Sequence, residues 1–223
     1  MTTTSKTLDA DFVDRFGEVV DLVLERQSDE AVERLSAIAR LDSSDDHPAP
    51  PPLAMQAAIF ARDRYTCRYC ETRTVLIPVM YAISALYGNV FKAHRYWRRD
   101  NTDVAYWTYA TSVEHIVPIK RGGTSDPDNL LTACWRCNEE KGTQTLQELD
   151  WQVRPVTERA WDGLGSRLPG LIEVMDATAR LDTVMKTSRA YFEGWLQAIK
   201  EQQPLTYRDR TNVEQVVPSG ASR

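Results

Sequence analysis

The chain has 223 residues, of which 42% are hydrophobic and 26% are charged, and its formal net charge is -5. This length predicts one sizeable core with appended segments, and the composition is that of a folded globular protein, which excludes fibrous, wholly disordered and membrane-embedded classes. The excess negative charge is confined to residues 1–52, which carry five basic and twelve acidic side chains, so the acidic total does not exclude a nucleic-acid partner for the remainder.

The first residues lack a basic start followed by an apolar core, so they predict no secretory signal and we expect a cytoplasmic protein. The longest apolar stretch, residues 75–91, is interrupted by polar residues and is shorter than the roughly 20 apolar residues that cross a bilayer. We interpret it as buried core and expect no membrane partner. In a reducing compartment the four cysteines favour a metal site over disulfides.

Two amphipathic helices are predicted near the N-terminus. Apolar residues recur every three or four positions in 9–27 and again in 28–41, the pattern of helices that bury one face. We expect these helices to pack on the core, although binding of a partner remains an alternative. Residues 42–52 are rich in proline and aspartate, which is typical of a stiff linker. This linker separates the acidic segment 1–41 from the rest of the chain.

A short helix is predicted over residues 53–62, directly before the first pair of cysteines. The segment 71–113 lies between the two cysteine pairs. In it, a helix with Pro78 in its first turn is predicted to end at Tyr87, and residues 104–113 are predicted to form a strand.

The C-terminal part of the chain also shows helical periodicity. Apolar residues in 151–203 predict one or two long helices, with a start at Pro169 and Gly170. Residues 204–223 are polar, and such a composition buries too little apolar surface to order itself, so they are predicted to be a disordered tail.

Two cysteine pairs with identical spacing carry the strongest signal in the sequence. The four residues are Cys67, Cys70, Cys134 and Cys137. Two Cys-x2-Cys pairs together supply the four thiolates of a closed tetrahedral zinc shell, so we predict structural zinc. Buried free cysteines and a redox dithiol are the alternatives.

A second group of chemically distinctive residues lies just before and just after the second cysteine pair. Its members are Glu114, His115, Gly122, Gly123, Asn129 and Asn138. In this order and spacing the chain resembles the HNH endonucleases over about residues 53–150, with residues 71–113 as an insertion. The resemblance implies an α+β fold whose core is a ββα-metal unit, a two-stranded hairpin and a helix clamped by zinc, with further helices flanking it on both sides.

The resemblance also implies roles for four catalytic residues. His115 suits a general base, because an imidazole with an ordinary pKa near 6.5 is neutral at physiological pH and can take a proton from water. Glu114 and Asn138 are the implied ligands of a catalytic Mg²⁺ or Mn²⁺ ion, which prefers oxygen donors. Many members of the family have aspartate where this chain has Glu114. Asn129 is implied to hold the loop and orient His115, while a plain turn residue is the alternative.

Two sets of basic residues are candidates for nucleic-acid binding. The first surrounds the motif and is predicted to contact phosphates: Lys120, Arg121, Arg136 and Lys141. The second is interleaved with aromatic residues: Lys92, His94, Arg95, Tyr96, Trp97, Arg98 and Arg99. This second set suits a nucleic-acid groove through charge and stacking, or else a solvated helix end whose aromatic side chains pack inside the protein.

The sequence therefore predicts a metal-dependent endonuclease that hydrolyses phosphodiester bonds, with DNA favoured over RNA as the substrate. The alternative from another class is a non-catalytic module that uses zinc as scaffold and binds nucleic acid or protein. A redox protein is a third possibility, and it predicts no bound zinc.

Overall fold

The computed structural model describes residues 12–38, 51–94, 96–157, 160–181 and 188–202. In these residues, helices surround a two-stranded antiparallel sheet. In chain order the elements are α1 (Phe12–Leu24), α2 (Ser28–Ile38), α3 (Leu53–Arg62), α4 (Ile77–Tyr87), α5 (Val104–Tyr109), β1 (Thr111–His115), β2 (Leu130–Cys134), α6 (Trp135–Lys141), α7 (Leu146–Leu149), α8 (Leu168–Ala177) and α9 (Arg189–Lys200).

The predicted mixture of helices with a small two-stranded sheet is confirmed. Most of the predicted linker, 42–52, and the whole of the predicted tail, 204–223, lie outside the described residues. Among the described residues, no helix combines the length and the apolar character that a membrane crossing requires.

The helices α1 and α2 pack against the rest of the protein, as expected from their apolar faces. Phe12 stacks on Tyr109 with ring centroids 4.1 Å apart, and the Phe16 ring lies 5.3 Å from that of Phe91. Both aromatic partners belong to the segment between the cysteine pairs. The N-terminal helices therefore share one hydrophobic core with that segment.

The strand predicted over residues 104–113 is wrong for its first half, where the chain forms helix α5. The Asp103 side chain caps this helix, because its Oδ1 accepts a hydrogen bond from the backbone N–H of Ala105 at 2.9 Å. The helix also buries Tyr106 and Tyr109, which a strand would have placed on opposite faces. Strand β1 begins only at Thr111, where an extended chain pairs with β2.

Strands β1 and β2 form the hairpin of the predicted ββα unit. Thr111 pairs with Cys134 at one end of the ladder, and His115 pairs with Leu130 at the other. Helix α6 follows β2 without a loop and packs on both strands. The helix therefore covers one face of the hairpin, while residues 116–129 form the connection beyond His115.

Buried apolar side chains form two clusters. The larger one contains residues from all the long helices and from the segment between the cysteine pairs. The smaller one contains the cysteines with Tyr69, Leu131 and Ala133, and residues near Trp151 pack against it. Since the smaller cluster buries few apolar side chains, the hairpin and α6 depend on other bonds for their stability.

A buried ionic network connects α3 to β2. The Asp63 carboxylate is fully buried and contacts the guanidinium groups of Arg62 and Arg68 at 2.9 and 2.8 Å. It also accepts the backbone N–H of Thr132 at 2.7 Å, and Arg62 donates to the carbonyl of Leu130 at 2.7 Å. Each buried charge thus has a partner, and the network sets the position of β2 relative to the first cysteine pair.

Candidate active site

The four cysteines lie in one cluster. Their sulfur atoms all lie within 4.8 Å of one another, and Cys70 Sγ is 3.7 Å from Cys134 Sγ. A tetrahedral zinc ion with bonds of about 2.3 Å separates its sulfur ligands by about 3.8 Å. The cluster therefore fits the predicted structural zinc ion, with all four ligand positions filled by protein.

Hydrogen bonds among the four cysteines shift their pKa values in opposite directions, and those from the other three, first of all Cys137, raise the pKa of Cys134. Hydrogen bonds from the other cysteines, first of all Cys134, lower the pKa of Cys70. Cys67, Cys134 and Cys137 are buried and Cys70 is half-buried, so solvent has little access to the shell. A closed shell of this kind serves the fold rather than the chemistry.

The side chains of β1 alternate between two faces of the hairpin. Ser112 and Glu114 point toward α6, where they contact Asn138 and Lys141 respectively. His115 belongs to the opposite face and is half-buried. Glu114 and His115 are thus neighbours in sequence whose side chains lie in different surroundings.

The imidazole of His115 lies at the end of β1 and is half-buried. Its Nε2 is 3.2 Å from the Ser125 hydroxyl, and within the described part of the chain no other side chain hydrogen-bonds to the ring. Partial burial, together with the positive charge of Lys141, lowers the pKa of His115 below its ordinary value. The ring is therefore neutral at physiological pH, which is the form that can accept a proton.

Lys141 is fully buried, so the predicted phosphate contact at this residue is wrong. Its Nζ donates to Glu114 Oε1 at 2.7 Å and to the carbonyl oxygen of His115 at 2.8 Å. The last turn of α6 is thereby attached to the end of β1. Burial raises the pKa of Glu114 to about 6, and Lys141 opposes this shift.

Replacing Lys141 with methionine is expected to destabilise the protein by about 3–5 kcal/mol, because it leaves the Glu114 carboxylate buried without its cation. Loss of Lys141 raises the pKa of Glu114 further above its unfolded value. A carboxyl group whose pKa is higher in the folded than in the unfolded protein lowers the free energy of unfolding as pH rises between the two pKa values. The loss of stability should therefore be larger at pH 8 than at pH 6. Urea unfolding at the two pH values measures it.

The double variant Lys141→Met/Glu114→Gln is the control for this prediction. It removes both charges of the pair and should recover part of the lost stability. Equal stability of Lys141→Met and the wild type at pH 8 would contradict the buried pair.

Asn129 holds the connection between the strands closed. Its Oδ1 accepts the backbone N–H of Val117 at 2.9 Å, and its Nδ2 donates to the carbonyl oxygens of Val117 at 2.9 Å and Thr124 at 2.7 Å. The side chain thus joins both ends of residues 117–124. No described hydrogen bond joins Asn129 directly to the His115 ring, so any effect on His115 acts through the loop.

Asn138 lies on α6 and faces β1. Its Nδ2 donates to Ser112 Oγ and to the carbonyl oxygen of Val113, both at 3.1 Å. These bonds orient the amide and leave Oδ1 with no hydrogen bond to the described residues. The amide oxygen is therefore available as a hard ligand, whereas the Glu114 carboxylate is already shared with Lys141.

The other predicted phosphate contacts are at the surface. Lys120 and Arg136 are exposed and have no ion-pair partner among the described residues. Arg121 is also exposed, but its guanidinium pairs with Glu148 at 3.2 Å and reaches the carbonyl oxygen of Thr143 at 3.3 Å. Lys120 and Arg136 are thus the more accessible cations near the hairpin.

The second basic set is divided between surface and interior. Trp97 packs on Trp135, with ring centroids 4.3 Å apart, so its ring is not available for stacking on a base. Arg99 forms an ion pair with Glu139 of α6. Tyr96, in contrast, is 69% exposed, and Arg95 lies outside the described residues.

Sequence reasoning missed the contacts of Ser125 and Lys141 and the ionic network around Asp63. Lys141 sits one helical turn after Asn138, which placed it on the same face of α6, and that spacing was the available signal. For Ser125 there was no signal, because nothing local distinguishes it from other loop serines.

Comparison with known proteins found one match and two absences. Residues 99–144 match the family model described as HNH endonuclease, and they include β1, β2 and α6 with the second cysteine pair. A search of curated proteins and a search of solved structures found no significant match. The match indicates a nuclease-type function for this part of the chain. The segment that forms the ββα unit thus matches the HNH endonuclease family model, in agreement with the resemblance of its sequence motif.

Proposed function

We propose that this protein is a metal-dependent endonuclease that hydrolyses phosphodiester bonds in DNA. The observation that carries the proposal is the environment of His115. The residue ends β1 within the HNH segment, its ring is half-buried, and its lowered pKa keeps it neutral.

In the proposed reaction His115 acts as a general base. The neutral imidazole takes a proton from a water molecule, whose oxygen attacks the phosphorus. The bond from phosphorus to the 3′ oxygen breaks, and the leaving oxygen takes up a proton from solvent. The products carry a 5′-phosphate and a 3′-hydroxyl. A histidine suits this role because its conjugate acid forms and loses the proton readily near neutral pH.

Glu114 and Asn138 would hold the divalent ion. The oxygen donors at these two residues fit a divalent ion in part. The Asn138 amide oxygen has no hydrogen-bond partner among the described residues. The Glu114 carboxylate has a second oxygen besides the one that Lys141 contacts. When bound, Mg²⁺ or Mn²⁺ supplies neutralising charge at the phosphate and the leaving oxygen.

Lys120 and Arg136 would contact the DNA backbone and position the substrate without reading its sequence. Arg121 would join them when its exposed pair with Glu148 opens, since such a pair contributes little stability.

The alternative function is a non-catalytic, zinc-stabilised module that binds nucleic acid or protein. One observation favours it: Lys141 already neutralises the carboxylate that an ion would use. The two functions differ in whether any phosphodiester bond is broken.

The test is incubation of the zinc-loaded protein with supercoiled plasmid in buffer without added divalent ions, with Mg²⁺ or with Mn²⁺. The proposal expects nicked or linear plasmid only with a divalent ion, and the ratio of the two products reports how many strands are cut. Single-stranded DNA and RNA in parallel reactions compare substrate classes. Intact substrates under every condition, together with retained binding of DNA in a gel-shift assay, would support the non-catalytic module.

A further inference from the structure

We propose that Ser125 is a positioning residue that fixes the tautomer and the orientation of the His115 imidazole. The inference rests on the proposed function and extends it to a residue that the motif does not include. The distance between Ser125 Oγ and His115 Nε2 is 3.2 Å. Within the described residues this is the one hydrogen bond from a side chain to the ring.

The loop that carries Ser125 is built to hold a defined shape. Gly122 has a φ of +86°, which side chains with a Cβ rarely adopt. Gly123 approaches the loop's own backbone so closely that an added Cβ would lie 1.8 Å from the carbonyl oxygen of Val117. Both positions require glycine, so the path of the chain toward Ser125 is set by sterics.

Hydrogen bonds restrain the backbone on either side of Ser125. Asn129 Nδ2 binds the carbonyl oxygen of Thr124 at 2.7 Å. The Thr124 hydroxyl donates to the Asp126 carboxylate, also at 2.7 Å. Ser125 lies between these two residues and is held near His115 before any substrate arrives. Because the loop is already ordered, the Ser125 hydroxyl can hydrogen-bond to the ring without a further loss of loop entropy.

The chemistry of a general base decides what this hydroxyl must do. A neutral imidazole has one protonated nitrogen and one lone pair, and only the lone pair can take a proton from water. If Ser125 Oγ accepts the hydrogen bond from Nε2–H, the lone pair is on Nδ1, which faces away from Ser125. After proton transfer both nitrogens carry protons, and the same serine oxygen still accepts from Nε2. Ser125 thus fits both states of the ring.

The first experiment compares the kinetics of DNA cleavage by Ser125→Ala and Ser125→Thr with the wild type. Ser125→Ala is expected to lower kcat by about 10-fold, a fraction of the roughly 10²- to 10⁴-fold that general-base catalysis contributes, with little change in KM. Ser125→Thr retains the hydroxyl and should recover most of kcat. Ser36→Ala, a serine exposed on α2, is the matched control and should behave as the wild type.

The second experiment needs no cleavage. Long-range ¹H–¹⁵N spectra of the zinc-loaded protein, without DNA or catalytic ion, report which ring nitrogen is protonated, and His115→Gln assigns the signals. The wild type should show His115 protonated at Nε2, and Ser125→Ala should move its two nitrogen shifts toward each other as the tautomers mix.

The two experiments separate this inference from the proposed function. A wild type that cuts no substrate overturns the proposed function, and the spectra then still decide whether Ser125 fixes the ring. If the wild type cuts DNA but Ser125→Ala has the same kcat or unchanged nitrogen shifts, the role of Ser125 is overturned. The proposed function is then unaffected.

Discussion

Replacement of His115 with alanine is expected to lower the kcat of DNA cleavage by about 10²- to 10⁴-fold, the contribution that a general base makes. The fold should survive, because the half-buried ring hydrogen-bonds only to the exposed Ser125 hydroxyl among the described residues. Zinc content should stay that of the wild type. Steady-state cleavage of a labelled duplex with Mg²⁺ measures the loss, and circular dichroism checks the fold.

His94→Ala is the matched control. His94 is also half-buried, but it lies in the segment before α5, where its Nδ1 accepts the backbone N–H of Tyr96 at 3.2 Å. Its replacement should leave kcat near that of the wild type. If His115→Ala and His94→Ala cleave DNA equally well, His115 is not the base, and the proposed mechanism is wrong.

Loss of the zinc ion is expected to have the largest effect on stability. Structural zinc in small domains contributes about 10–16 kcal/mol at neutral pH. Here the cluster around the cysteines contains few other buried side chains. The hydrogen bonds of Asn138 and Lys141 to β1 also hold α6 on the hairpin, but such bonds contribute much less than a zinc ion does. Cys134→Ser, or a strong chelator, should therefore unfold the ββα unit and abolish cleavage.

The larger hydrophobic cluster should resist this loss in part. It contains the long helices and does not include the cysteines. We therefore expect the zinc-free protein to keep much of its helical dichroism while the hairpin amides lose their protection from hydrogen exchange. Added zinc should restore both protection and cleavage to the chelated wild type, but not to Cys134→Ser.

Two measurements would contradict the zinc site. The chain has four cysteines, and all four belong to the cluster, so elemental analysis should find one zinc ion per chain. Chelation should then expose four thiols to a thiol reagent. A protein without zinc that contains disulfides instead would support the redox alternative.

Local patterns were enough to predict several of the helices and the four cysteines that the fold brings together. An amphipathic helix is recognised from a period within one segment, as for α1 and α2, whereas α4 is indicated by proline in its first turn. A Cys-x2-Cys pair brings two sulfurs together within a single turn, so its spacing already indicates a metal. The first half of the strand predicted over residues 104–113 is wrong because a short apolar run is compatible with both helix and strand, and the cap at Asp103 decides between them.

Residue types and their spacing along the chain indicate the kinds of chemistry: four soft ligands for zinc, one histidine in an HNH motif, and a neutral amide at Asn138. Which of these groups meet depends on the packing of segments that are distant in the chain. Lys141 reads as a surface cation, yet it lies inside the protein on Glu114, a contact across 27 positions of the chain. Ser125 meets His115 because the closed loop returns it to the end of β1. Such contacts depend on how distant segments pack, and no local pattern in the chain encodes them.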